Sequence, residues 1–332
     1  MISPGGRGER METLQEDPLD DAIKVFTGNG NPALAQEICD HLGIPLGKAT
    51  IRRFSNENIF VQIQENVRER DVFVVQPLSS PVSENLVELL IMLDALKSAS
   101  ARRITAVVPY YSYARSDKKD MPRISIAGRL IADLMVTAGA SRILTMTLHS
   151  EQVQGFFRCQ ADHLSATPIL SEYFRTLSLQ NCVALATDAG SARRAGSYAT
   201  RLNIPLAFID KRRIADDQVE VRAVVGDVKG KTILLFDDEI ATGTSLLEAY
   251  NSLEKIGAEV GDFYVGATHG VFTADAVPRL MASRIRQVVI TNTVPLPPGK
   301  CCDKIVQLSV APLFGEAIRR IHTGESVSEI FE

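Results

Sequence analysis

The stretch Thr232-Ile-Leu-Leu-Phe-Asp-Asp-Glu-Ile-Ala-Thr-Gly-Thr-Ser245 decides how the chain is read. Ile233 to Phe236 form an apolar run that reads as a buried strand. Two adjacent acids, Asp237 and Asp238, end it. A small, hydroxyl-rich loop, Ala241-Thr-Gly-Thr-Ser245, leads into a helix. Ligands of open α/β sheets collect at the carboxyl ends of strands. A helix N-terminus there offers unpaired N–H groups and a positive dipole end, which suit a phosphate. Gly243 lets the backbone come close, and Thr242, Thr244 and Ser245 add hydroxyl donors. The two carboxylates can accept hydrogen bonds from sugar hydroxyls, so the segment suits a phosphorylated ribose held at both ends. An Asp/Thr/Ser helix cap on a buried strand uses the same residue types; two acids combined with Thr-Gly-Thr-Ser favour the ligand.

Outward from this segment, the pattern occurs twice. Lys231–Phe236, a loop, a helix from about Ser245 to Ile256 and a strand at Asp262–Ala267 form one unit. Its helix spaces Leu246, Ala249, Tyr250 and Leu253 on one face, with Gly257 as its C-terminal cap. Asp71–Gln76, a helix from about Ser83 to Lys97 with Leu86, Leu89, Leu90 and Leu93, and a strand at Ile104–Val108 form the other. Ile23–Thr27 reads as a further strand, Pro32–Leu42 as a helix with Pro at its start, and 312–322 as a closing helix. The alternation predicts an α/β chain of two related domains, each a mostly parallel sheet flanked by helices, joined near residues 160–166. The expected division is a disordered tail over 1–21, domains over 22–162 and 163–320, and a C-terminal tail over 321–332. The Gly-, Pro- and acid-rich start lacks the apolar core of a signal peptide, and Met11 is an alternative start.

Composition narrows the function. The 332 residues are 45% hydrophobic and 23% charged, with a formal net charge of -4. No global basic excess points to nucleic acid or an anionic membrane. The most apolar stretch, Leu86–Leu96, is too short and too charged to span a bilayer. Five scattered cysteines without a CxxC pair argue against zinc and for a reduced, cytoplasmic setting.

The Asp237–Ser245 segment resembles the PRPP-binding motif of the phosphoribosyltransferase fold. Further segments resemble the ribose-phosphate diphosphokinases: Arg53-Phe-Ser55, Asp71-Val-Phe-Val-Val75, Pro109-Tyr-Tyr-Ser-Tyr-Ala-Arg-Ser-Asp-Lys118, Gln154-Gly-Phe-Phe157, Asp210-Lys-Arg-Arg213 and Gly226-Asp-Val-Lys-Gly-Lys231. The resemblance runs from about Ile23 to His322. It implies two phosphoribosyltransferase-type domains and transfer of a diphosphate from ATP to ribose 5-phosphate. It assigns Arg115, Ser116 and Asp117 to ATP, together with Phe54, Asn56 and Asn58, with Phe54 reaching a neighbouring subunit's site. Asp237, Asp238, Ala241, Thr242, Gly243, Thr244 and Ser245 fall to the ribose 5-phosphate. Lys211 and Arg213 would stabilise the transferring group from a mobile loop, and His149 with Asp188 would hold Mg2+. A homo-oligomer, a hexamer built from dimers, is implied.

The sequence departs from the family at two places. Asn56-Glu-Asn58 stands where Asp-Gly-Glu is usual, and Thr147 where many members carry an acid. A phosphoribosyltransferase or a non-catalytic regulatory homologue would share the Asp237–Ser245 motif. Gly28-Asn-Gly-Asn-Pro-Ala33 imitates a dinucleotide fingerprint, but Arg52 and Arg53 stand where its ribose-binding acid is expected, so the glycines read as a tight turn.

Overall fold

The computed structural model describes residues 23–188, 190–215, 218–255 and 258–331, with 211–222 and 331 described by backbone alone. The tail expected over 1–21 and the cap expected at Gly257 lie outside the described residues. In chain order the elements are β1 (Ile23–Thr27), α1 (Pro32–Leu42), β2 (Ala49–Arg53), β3 (Ile59–Ile63), β4 (Asp71–Val75), α2 (Val82–Ser98), β5 (Arg103–Val108), α3 (Ala127–Ala138), β6 (Arg142–Met146), β7 (Gln160–Leu164), α4 (Thr167–Thr176), β8 (Cys182–Ala186), α5 (Ala192–Leu202), β9 (Leu206–Ala215), β10 (Gln218–Val225), β11 (Thr232–Ile240), α6 (Thr244–Lys255), β12 (Phe263–Gly270), α7 (Ala276–Ala282), β13 (Ile285–Thr291), β14 (Ile305–Leu308) and α8 (Ala311–Thr323).

The strands form two large sheets. One has the order β1-β4-β5-β6-β7 and is parallel throughout; the other has the order β10-β9-β8-β11-β12-β13-β14 and is parallel except for the β9–β10 hairpin. The β2–β3 hairpin is a separate small sheet, with Ile51 and Val61 packed against the core of the first large sheet. Parallel strands buried on both faces need continuous apolar sequence, and β4 (Asp-Val-Phe-Val-Val) and β8 (Cys-Val-Ala-Leu-Ala) are buried along their whole length. Helix ends follow local chemistry. The Asn31 side chain accepts the Leu34 N–H at 3.2 Å to open α1, Pro32 fills its first position, and Gly43 at φ 71° closes it.

Three apolar clusters hold these layers. One lies between the first sheet and α2/α3, with Leu86, Leu89 and Leu93 inward. Another lies between the second sheet and α6/α7, with Leu246, Ala249, Tyr250 and Leu253 inward. The third joins both halves: Ile23, Val25 and Phe73 share it with Phe174, Phe236 and Phe314. Tyr198 stacks on Phe236 at 3.7 Å between ring centroids. The strand β7 extends the first sheet across the expected junction, and α8 runs to Thr323. Ile321 is buried, and His322 Nδ1 lies 3.0 Å from Asp71 of β4. The shared core fixes the carboxyl ends of both sheets relative to each other, and the candidate site lies at that seam.

Candidate active site

A cavity of about 440 Å³ opens where β11 gives way to α6. The first half contributes Arg115 and His149; the second contributes Thr187, Asp188, Ser191, Arg194 and the whole run from Asp237 to Leu246. Arg115 ends a short 3-10 turn after β5, and His149 follows the end of β6. Asp188 follows β8 in the turn before α5, where its Oδ1 accepts the Ser191 N–H at 2.8 Å. Each of these groups therefore sits at a strand's carboxyl end.

The two acids of β11 are already engaged. Arg194 donates through Nη1 to Asp237 at 2.6 Å and reaches Asp238 through Nη2 at 2.9 Å. His149 Nδ1–H donates to Asp238 Oδ2 at 2.7 Å. Burial, then the neighbouring Asp238 charge, pushes the Asp237 carboxyl well above the usual range. Burial also acts to raise Asp238, but the hydrogen bond from His149 and the Arg194 charge outweigh it and hold that carboxyl low. The same hydrogen bond raises His149. The two acids thus differ in proton affinity, and one is fixed as the anion facing the cation pair.

A second layer positions His149. Thr147, two residues before it, adopts φ 42°. Its carbonyl accepts the His269 Nε2–H at 3.1 Å, and the next amide, Leu148 N–H, donates to His163 Nε2 at 2.9 Å. Two imidazoles from different strands thus grip one peptide unit. The Thr147 carbonyl can only accept, so Nε2 of His269 carries the proton, and in the neutral ring Nδ1 is the acceptor facing the Thr293 hydroxyl at 2.9 Å.

The expected phosphate loop is built from turn chemistry. Thr242 Oγ1 lies 3.0 Å from Thr244 Oγ1 and accepts the Thr244 N–H at 3.4 Å. Gly243 sits at φ 70°; a Cβ there would meet Leu280 no closer than 3.7 Å, so the conformation and not space requires glycine. Arg279 of α7 donates to the Thr242 carbonyl at 3.3 Å and to Thr244 Oγ1 at 3.1 Å. The first turn of α6 opens onto the cavity with Thr244 and Ser245.

The cavity gathers Arg115, His149, Asp188, Asp237, Asp238, Ala241, Thr242, Gly243, Thr244 and Ser245. Ser116 lines an adjoining recess with Arg115 and Lys118, and Asp117 lines neither. Phe54, Asn56 and Asn58 sit on the turn of the β2–β3 hairpin, away from this lining. Phe54 is 46% exposed, with Arg52 over its ring at 5.3 Å. Lys211 and Arg213 lie two apart on β9, in the hairpin with β10. Sequence reading missed Glu239, Arg279 and the pairing of Arg194 with both acids. Their partners lie between 35 and 129 positions away, and no periodicity links them.

Residues 23–139 match the N-terminal domain of ribose phosphate pyrophosphokinase, and residues 216–332 match the phosphoribosyl synthetase-associated domain. A ribose-phosphate pyrophosphokinase of Deinococcus radiodurans is 53% identical over 314 residues, covering 93% of this chain and 98% of that one. One of Caldanaerobacter subterraneus is 50% identical over 311 residues, covering 93% and 98%. The phosphoribosylpyrophosphate synthetase of Mycobacterium smegmatis superposes with a TM-score of 0.86 at 41% identity, covering 91% of this chain and 99% of that one. The chain belongs to the ribose-phosphate pyrophosphokinase family.

As a member of this family the chain is an enzyme, and it has the α/β fold inferred from its sequence. The imitation of a dinucleotide fingerprint has another cause. A Cβ on Gly28 would lie 2.5 Å from Gln76 Oε1 and Glu88 Oε1, so that glycine admits a buried polar network, in which Gln76 accepts the Gly30 N–H at 2.8 Å. The family implies a magnesium ion. Among the described residues no group of three or more His, Cys, Asp or Glu side chains is placed to hold a metal. His149 and Asp188 do face one cavity, and Mg2+ characteristically takes few protein ligands, completing its shell with water and substrate oxygens.

Proposed function

We propose that this chain transfers the diphosphate of ATP to the 1-hydroxyl of ribose 5-phosphate, giving PRPP and AMP. The observation that carries the reading is the convergence of Arg115 and His149 from one half with Asp237–Ser245 from the other in a single cavity. In this reading the loop Thr242–Ser245 and the α6 N-terminus bind the 5-phosphate, and Asp237 and Asp238 orient the ribose hydroxyls. Arg115 holds phosphate oxygens of ATP through its planar fork. Asp188 and His149 would hold Mg2+, which when bound neutralises charge on the transferring diphosphate. Lys211 and Arg213, on the β9–β10 hairpin, add positive charge to the transition state, since phosphoryl-type transfer depends on positioning and electrostatics.

The same reading gives Phe54, Asn56 and Asn58 to the adenine of a neighbouring subunit in a homo-oligomer. Its support is an exposed aromatic ring that is absent from the lining of its own chain's cavity. Relatives about half identical over nearly their full length bear the pyrophosphokinase name, which disfavours a phosphoribosyltransferase. The decisive test is release of AMP from ATP by the purified protein. AMP should appear only when ribose 5-phosphate is present; no release, or release independent of the sugar, would refute the assignment.

A further inference from the structure

Glu239 is a third consecutive acid, and it points its chemistry across the seam. Its Oε1 accepts Arg115 Nη1–H at 2.7 Å and its Oε2 accepts the Tyr110 hydroxyl at 3.1 Å, so both oxygens are committed to the first half. We propose that Glu239 is a positioning residue that aims Arg115 over the sugar-phosphate cavity and thereby sets affinity for the nucleotide. The proposal rests on the reading of Arg115 as a nucleotide contact.

The partners differ in freedom. The Glu239 side chain is 10% exposed and that of Arg115 is 58% exposed, so the acid is the fixed member. Strand pairing places Glu239 opposite His269, and the Tyr110 ring packs on that same His269 with centroids 4.8 Å apart. Glu239 is therefore held from both sides, and Arg115 reaches it from the solvent-facing turn. An arginine on such a turn otherwise samples many rotamers, and fixing it costs conformational entropy. A carboxylate beside Asp237 and Asp238 repels anionic ligands unless a cation neutralises it, and Arg115 does so. The guanidinium has five N–H donors; an anchor on one Nη leaves the others for phosphate oxygens.

The test is a double-mutant cycle on the full-length enzyme, reading KM for each substrate and calorimetric binding of ATP. Glu239→Ala should weaken ATP about tenfold, the size of one charge-assisted hydrogen bond, with a smaller change for ribose 5-phosphate. Glu239→Gln, whose amide oxygen can still accept from Arg115, should fall between. In an Arg115→Ala background, Glu239→Ala should add nothing. Melting temperatures of all five proteins separate positioning from stability. If Arg115→Ala weakens ATP but Glu239→Ala leaves it unchanged, tightens it, or acts equally in both backgrounds, the positioning role is overturned and the nucleotide reading stands. If Arg115→Ala itself leaves ATP affinity unchanged, the nucleotide reading of Arg115 fails first and the proposal falls with it.

Discussion

At Thr147 the backbone takes φ 42°, a left-handed conformation that costs an L-residue about 1–2 kcal/mol. The bend falls between the end of β6 and His149, and His163 and His269 offset the strain by binding the two sides of the following peptide. Burial keeps the His269 ring neutral, with Nε2–H donating to the Thr147 carbonyl and Nδ1 facing the Thr293 hydroxyl. Burial pushes its pKa from 6.5 down to about 4. Burial also lowers His163. The unfolded chain therefore binds protons that the native state refuses. The stability contributed by neutral His269 is complete above pH 6.5 and is lost as pH falls toward 4, with about 2 kcal/mol gone by pH 5. The raised His149 works in the opposite sense, fading as pH rises, so a variant is needed to isolate the effect. Acidification from pH 7 to pH 5 should therefore cost His269→Gln less melting temperature than it costs the wild type. An equal loss would show that His269 is not the group responsible.

Elements with one-dimensional signatures are legible in the sequence. The 3.6-residue spacing of Leu246, Ala249, Tyr250 and Leu253 gave α6, observed over Thr244–Lys255, and Pro32 marked the start of α1. The acid pair and the Thr-Gly-Thr-Ser loop lie on contiguous residues, so the strand-to-helix site was readable as a unit. The supports around it were not. Arg279 on α7 holds the Thr242–Thr244 turn from 35 residues downstream, and Arg194 on α5 reaches Asp237 from 43 residues upstream. Nothing local marks Glu239, because its partners belong to the other half of the chain. Such pairs depend on crossover order, and no local propensity encodes them. The fingerprint-like Gly28-Asn-Gly30 is the converse case: a local pattern whose cause, close packing against Gln76 and Glu88, is tertiary.

For the whole molecule, two parallel sheets share one apolar core. At the edge opposite the cavity, α8 is tied down by the cluster of Asp71, Arg103 and His322. This fixed geometry leaves Phe54 on an outlying hairpin, where our reading has it serve an adjacent subunit. Mixing Phe54→Ala chains with Arg115→Ala chains should then restore activity above that of either alone, because some shared sites regain both side chains. A strictly additive mixture would place adenine elsewhere. The claim beneath all of this is that the N-terminus of α6 receives the sugar phosphate, and Ser245→Asp probes it. A carboxylate suits the first turn of a helix, so the protein should melt no lower than wild type. The same charge occupies the phosphate position. Calorimetric titration with ribose 5-phosphate should therefore show saturable binding to the wild type and none to Ser245→Asp, and equal binding by the two proteins would contradict the account.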